Sequence, residues 1–151
     1  AANASSINDG AAALLVASET ACSQHGLTAI ARIVGSASFS REPEWFTIAP
    51  VGAMKKLLDQ LGWTVDAVDL FEINEAFAAV TMAAETELKI PAEKVNIYGG
   101  AVALGHPIGC SGARVLVTLL TGLKHTGGRR GIACLCIGGG EAVALAVECM
   151  G

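Results

Sequence analysis

Val68–Lys89 reads VDLFEINEAFAAVTMAAETELK. Val68–Ile73 is a short apolar run rich in β-formers, which predicts a strand. Glu75–Lys89 is Ala-rich, free of Gly and Pro, and followed by Pro91, which predicts a helix that stops there. A strand passing into a helix through a single polar corner, Asn74, is half of a βαβ unit.

Working outward, the same alternation recurs. Ala29–Phe39 (AIARIVGSASF) is β-branched and reads as a strand. Pro50–Gly62 carries Val51, Met54, Leu57, Leu58 and Leu61 at helical spacing, with Pro at its start and Gly at its end. Val95–Tyr98 reads as a strand running into Gly99-Gly100. Ser111–Thr126 is helical, with Val115, Leu116, Leu119, Leu120 and Leu123 on one side. Gly131–Ile137 and Ala142–Cys149 are strands separated only by Gly138-Gly139-Gly140-Glu141, which predicts an antiparallel hairpin. Upstream, Ala11–Ser18 (AAALLVAS) reads as a buried strand and Glu19–Gly26 as a short helix closed by Gly26. The fold class is α/β: a mixed, mostly parallel five-stranded sheet flanked by helices, with an antiparallel C-terminal hairpin.

Composition narrows the function. The chain has 151 residues, 52% hydrophobic and 16% charged. That is too apolar for a disordered tail, and no run of about 18 apolar residues lacks a charge, a Gly cluster or a Pro, so no membrane span is expected. A formal net charge of −4, 5% aromatics and no basic run beyond Arg129-Arg130 argue against a nucleic-acid platform. The five cysteines (Cys22, Cys110, Cys134, Cys136, Cys149) contain no C-x-x-C pair, and with His25, His106 and His125 they show no zinc spacing, so no metal is expected. Such thiols fit a reducing compartment. The chain begins at Ala1, not Met, with a polar turn sequence unlike a targeting segment, so the expectation is that a segment upstream has been removed and that the protein is cytoplasmic, mitochondrial or peroxisomal residence staying open.

In open α/β sheets chemistry collects at strand ends, and three corners carry unusual residues. The first is Ile73-Asn74-Glu75-Ala76-Phe77; Asn74 is equally a favoured N-cap. The second is GGAVALGHPIGCSG (Gly99–Gly112), where His106 lies among glycines at 99, 100, 105, 109 and 112 and just ahead of a helix N-terminus. The helix dipole there disfavours imidazolium and keeps the ring a neutral base. A loop His satisfied by backbone is the plainer alternative. The third is Cys134-Leu135-Cys136-Ile137-Gly138-Gly139-Gly140. Strand period puts Cys134 and Cys136 on one face, and the glycines leave backbone N–H groups bare, as an oxyanion hole needs. Two buried structural cysteines explain the motif as well. The three corners are expected to converge on one sheet edge.

Together these corners resemble the thiolase family, through NASSINDGAAALLVAS (Asn3–Ser18), FEINEAFAAV (Phe71–Val80), GGAVALGHPIGCSGAR (Gly99–Arg114) and CIGGG (Cys136–Gly140), in the family's order. The resemblance is to the C-terminal part of such an enzyme. It implies two similar α/β halves and an inserted loop domain: residues 1–27 would be the tail of the loop domain plus the last strand and helix of the N-terminal half, and residues 28–151 the C-terminal thiolase domain. It implies an acyltransferase that performs Claisen condensation of acyl-CoA with acetyl-CoA, or the reverse thiolysis, through an acyl-cysteine, without metal or redox cofactor.

By the same resemblance, His106 would take the proton of the nucleophilic thiol, and Cys136 would remove the α-proton of acetyl-CoA and reprotonate the leaving thiol. Asn74 would serve an oxyanion hole with His106, and the Gly138 N–H would serve a second. Ser5 would touch the pantetheine arm of CoA, and Phe77 would line the acyl or pantetheine pocket. The nucleophilic Cys would lie in the N-terminal half, which is the expected partner, in a homodimer or homotetramer. The fragment by itself would be inactive. Two departures are visible: Ser6 stands where the family has Gly, and Cys110 stands where a small residue is expected. The competing readings are a non-catalytic CoA-binding or dimerisation module and a self-contained Cys–His hydrolase using Cys110 or Cys136.

Overall fold

The computed structural model describes residues 2–150. Helix α1 (Glu19–His25) is capped by the Ser18 hydroxyl and closed by Gly26 in the left-handed region. Then follow β1 (Ala31–Ser40), a 3-10 segment over Pro43–Ile48, α2 (Ala49–Leu61), β2 (Leu70–Ile73), α3 (Ala78–Leu88), the single turn α4 (Ala101–Leu104), α5 (Ile108–Thr126), β3 (Arg130–Ile137) and β4 (Glu141–Cys149). The helices end where the sequence places them: Gly62 and Gly127 take left-handed conformations and return N–H bonds to the last carbonyls of α2 and α5.

The strands form one four-stranded sheet in the order β1-β4-β3-β2. β2 pairs parallel with β3, Ile73 opposite Cys134, while β4 runs antiparallel to both β1 and β3. The sheet is mixed and the β3–β4 hairpin is present. Two features correct the expectation of five mostly parallel strands. β1, β2 and β3 do point the same way, but β4 folds back between β1 and β3, so two of the three strand pairings are antiparallel. The fifth strand, Val95–Tyr98, is reduced to an isolated parallel bridge between Phe71 and Val95. Asn96 turns left-handed (φ 47°) immediately afterwards and ends the extension.

Ala11–Ser18 is not a strand within this chain either: it joins no ladder, and Leu15 and Val16 are 82% and 72% exposed. A strand needs a neighbour to satisfy its backbone, and none of the described residues offers one. Helix α3 starts three residues later than its composition suggests, because the N-terminal segment holds the corner extended. Ser5 N–H bonds to Ala76 O (3.1 Å), Ala78 N–H bonds to Asn3 O (2.8 Å), and Ala4 bridges Phe77.

The sheet separates two cores. On one face α2 and α3 bury Met54, Leu57, Val80, Phe71, Ile73, Ile132 and Cys134. On the other, α5 lays Val115, Leu119 and Leu123 on Leu70, Ala133 and Val147. Gly131 permits this close approach, since a Cβ there would fall 2.8 Å from Leu119 Cδ1. No helix among the described residues is long and apolar enough to cross a membrane.

Candidate active site

Because β2 and β3 are parallel, their C-terminal ends share one sheet edge. Asn74 follows Ile73 directly, and its N–H bonds to Cys134 O at 2.9 Å. Cys136 lies two residues further along β3, on the same face as Cys134 and packed against the α2–α3 core. Asn74 is fully buried. It does not cap α3, whose N-cap position is Phe77, without a side-chain cap bond.

His106 arrives from the glycine-rich loop. Gly105 takes φ 93°, and His106 N–H bonds to Ser6 O at 2.8 Å, tying the loop to the N-terminal segment. The ring then sits two residues before α5 and bridges two buried groups: Nε2 lies 3.3 Å from Asn74 Nδ2, and Nδ1 lies 2.6 Å from Ser111 Oγ. His106 is thus not satisfied by backbone. Asn74 and His106 touch, and Cys136 is on the same edge. Neither Cys110 nor Cys136 is hydrogen-bonded to His106 among the described residues.

Burial pushes the His106 pKa below the usual histidine range, and the Arg114 guanidinium pushes it the same way. The imidazole is therefore held neutral, with a lone pair to offer. Burial raises the Cys136 thiol, which makes its thiolate, once formed, a stronger base than an exposed one. Cys134 is fully buried, its thiol raised much further by desolvation, and its Sγ meets Pro50 O at 3.9 Å. Of the two cysteines on this face, Cys134 is the more deeply buried.

The remaining expected residues surround this edge. Ser5 Oγ donates to Ala76 O at 3.1 Å and is half-buried. Phe77 is half-exposed and packs edge-on against Phe46, ring centroids 6.0 Å apart. Gly138 is exposed in the β3–β4 turn, and a Cβ built there would meet nothing within 4 Å, so its backbone face is open.

The sequence reading missed the polar frame beneath the site. Arg114, one turn after Ser111 on α5, is paired with Glu72 of β2 at 2.8 Å, both largely buried. Burial outweighs the guanidinium and pushes the Glu72 carboxyl up to about 7. Glu75 Oε2 accepts the Val102 N–H at 3.1 Å and so holds the glycine-rich loop against the corner. An acid flanked by Phe71 and Ile73 within a strand was the available signal, since a buried carboxylate needs a partner. Among the described residues no group of three or more His, Cys, Asp or Glu is placed to hold a metal ion.

A conserved-domain description, "Thiolase, C-terminal domain", matches residues 27–149. The chain belongs to the thiolase family. It is 53% identical over 146 residues to acetyl-CoA acetyltransferase IB of Candida tropicalis, covering 97% of this chain and 36% of that protein. It is 52% identical over 147 residues to the cytosolic acetyl-CoA acetyltransferase of Mus musculus, covering 97% and 37%. The crystal structure of the Bacillus anthracis acetyl-CoA acetyltransferase superposes with a TM-score of 0.94 at 48% identity, over 98% of this chain and 38% of that one. A thiolase from Ascaris suum in complex with coenzyme A superposes with a TM-score of 0.89 at 41% identity, over 99% and 38%. The fold is therefore that of a thiolase, and this chain spans little more than a third of the length of the thiolases it matches.

Proposed function

We propose that this chain supplies the acid–base half of an acyl-CoA thiolase that condenses acyl-CoA with acetyl-CoA or runs the reverse thiolysis. The observation that carries the reading is the contact of His106 Nε2 with Asn74 Nδ2 at 3.3 Å on the edge where β3 delivers Cys136. A neutral imidazole, a partly buried thiol and an open glycine turn are what two sequential acyl transfers require.

In the first half-reaction His106 Nε2 takes the proton of a thiol on the N-terminal half. The thiolate attacks the acyl-CoA carbonyl, a new C–S bond forms, the C–S bond to CoA breaks, and the CoA thiolate takes the proton from the His106 imidazolium. In the second, the Cys136 thiolate takes the α-proton of acetyl-CoA. The resulting carbanion attacks the acyl-cysteine carbonyl, the enzyme thiolate leaves, and Cys136 returns the proton to it. Asn74 with His106 faces one developing oxyanion, and the Gly138 N–H faces the other. Ser5 and Phe77 line the path of the pantetheine arm. No step needs a metal or redox cofactor.

On this reading residues 28–151 are the C-terminal thiolase domain, residues 1–27 belong to the loop domain and the other half, and the complete enzyme is a cytoplasmic homodimer or homotetramer. The test joins this chain to a thiolase N-terminal half and assays thiolysis of acetoacetyl-CoA. Activity should appear in the joined protein, fall by about 10²–10⁴-fold in His106→Ala, and be absent from the 151-residue chain alone. Activity of that chain alone would revive the Cys–His hydrolase. CoA binding by the joined protein without turnover would favour a non-catalytic module.

A further inference from the structure

Three short distances form a chain through the imidazole of His106: 2.6 Å from Nδ1 to Ser111 Oγ, 3.1 Å from Ser111 Oγ to Pro107 O, and 3.3 Å from Nε2 to Asn74 Nδ2. Ser111 and Asn74 are both fully buried, so their protons have few alternatives to these partners. From this geometry we infer that Ser111 is a positioning residue that sets the tautomer of His106, an inference that rests on His106 being the base of the site.

The hydroxyl has one proton and can spend it in two ways. If Ser111 donates to Pro107 O, its oxygen accepts Nδ1–H, Nε2 is bare, and Asn74 Nδ2 donates to it. All three contacts are then hydrogen bonds. If instead Ser111 donates to Nδ1, Nε2 carries the proton and the Asn74 amide must turn to present Oδ1. Only two bonds remain, and both Asn74 amide protons are buried without an acceptor. The first arrangement leaves Asn74 Oδ1 unpartnered, as it is in this structure. An under-satisfied buried carbonyl is more readily tolerated than an orphaned N–H. Pro107 O already takes the N–H groups of Cys110 and Ser111, so the third donation is the weakest link of the chain, yet it still adds a bond.

The consequence is directional. Nδ1–H points into the first turn of α5, and the lone pair on Nε2 points to Asn74 and the sheet edge, where a proton has to be taken. The Ser111 rotamer is itself held by that first turn, since its N–H and Oγ both meet Pro107 O. An Ala at this position would fill the same space on α5 but leave Nδ1–H without an acceptor. The ring would then gain by moving its proton to Nε2, where a turned Asn74 Oδ1 can receive it.

The experiment is long-range 1H–15N correlation on the 15N-histidine-labelled chain, with His25→Gln and His125→Gln so that His106 alone is read. Above the ring's titration the wild-type residue should show the Nδ1–H pattern. Ser111→Ala should move the tautomer ratio toward Nε2–H by at least about tenfold, the 1.4 kcal/mol that a single buried bond is worth. Ser111→Thr, which keeps the hydroxyl, should restore the Nδ1–H pattern. An Nε2–H tautomer in the wild-type ring, or an Nδ1–H tautomer that persists in Ser111→Ala, overturns the inference. Should the Ala variant not fold, the wild-type and Thr spectra decide it. These spectra read the ring without any acyl transfer, so their failure leaves the proposed reaction standing. Loss of the reaction with the tautomer intact removes the proposed function instead.

Discussion

The side chain of Asn96 is bonded to both backbone groups of Ile73: Ile73 N–H donates to Oδ1 at 2.8 Å, and Nδ2 donates to Ile73 O at 2.8 Å. One amide thereby does the work of a missing strand. β2 lacks a ladder beyond Phe71 on that side, and Asn96 in the left-handed region turns its side chain back to pair the last residue before Asn74.

Replacing Asn96 should therefore loosen the strand end that carries the site. Asn96→Gly keeps access to positive φ and removes only the two bonds, leaving a buried N–H and a buried carbonyl unpaired, at a cost of about 2–4 kcal/mol. Asn96→Ala should cost more, because Ala is strained at φ 47°. Urea unfolding of both variants measures this. A loss under about 0.5 kcal/mol for Asn96→Gly would show that Ile73 finds other partners.

The pair of Glu72 and Arg114 should make stability depend on pH. The Glu72 pKa is raised in the folded state, from 4.5 to about 7, by burial against the opposing pull of Arg114. The folded state therefore holds that proton more tightly than the unfolded one. Its contribution is complete below about 4.5 and is lost as pH rises through about 7. Denaturant midpoints measured between these limits should fall with rising pH in the wild-type chain and fall less in Glu72→Gln. An equal slope in both would place the titration elsewhere.

The His106 ring gives the opposite sign. Its pKa is depressed by burial and then by Arg114, so the neutral base persists below the ordinary histidine value of about 6.5. In the joined enzyme the acid limb of kcat/KM should lie below that value, and Arg114→Gln should move it upward. An acid limb at or above 6.5 in the unaltered enzyme would mean that the ring is not the titrating base.

Cys136→Ala should separate the half-reactions. Loading of an acyl group needs only the nucleophile and His106, while carbanion formation needs the thiolate of Cys136. Mass spectrometry of the joined enzyme with acetyl-CoA should show the acyl-enzyme accumulating while condensation falls by about 10²–10⁴-fold. Loss of loading with the fold intact would move Cys136 into the first step.

Much of the fold was legible because it is written in local rules. The apolar spacing of Met54, Leu57, Leu58 and Leu61 can bury only one face of a helix, and Gly62 and Gly127 mark where α2 and α5 can end. The hairpin follows from two apolar strands joined by glycines. Asn74, His106 and Cys136 stood out as polar groups at strand ends, and the structure puts the three on one edge. Ser111 and Arg114 did not stand out, because a Ser in a first helical turn and a charge on a helix are ordinary in sequence, and only their burial against His106 and Glu72 makes them consequential.

The sequence by itself determined the helices over Ala49–Leu61 and Ile108–Thr126 and the four strands of the sheet to within a few residues, because backbone sterics and the period of burial act locally, although it also marked Ala11–Ser18 and Val95–Tyr98 as strands that this chain does not form. Only the tertiary structure decided that β4 enters between β1 and β3, that Asn3–Ser5 holds Asn74–Phe77 out of the helix, and that Asn96 substitutes for a strand at Ile73. The β1–β4 ladder, the Asn3–Ser5 bonds and the Asn96–Ile73 bonds each join residues 23 or more positions apart in the chain. Such pairings are settled by which backbone groups are left unbonded once the core has closed, and no local pattern carries that information.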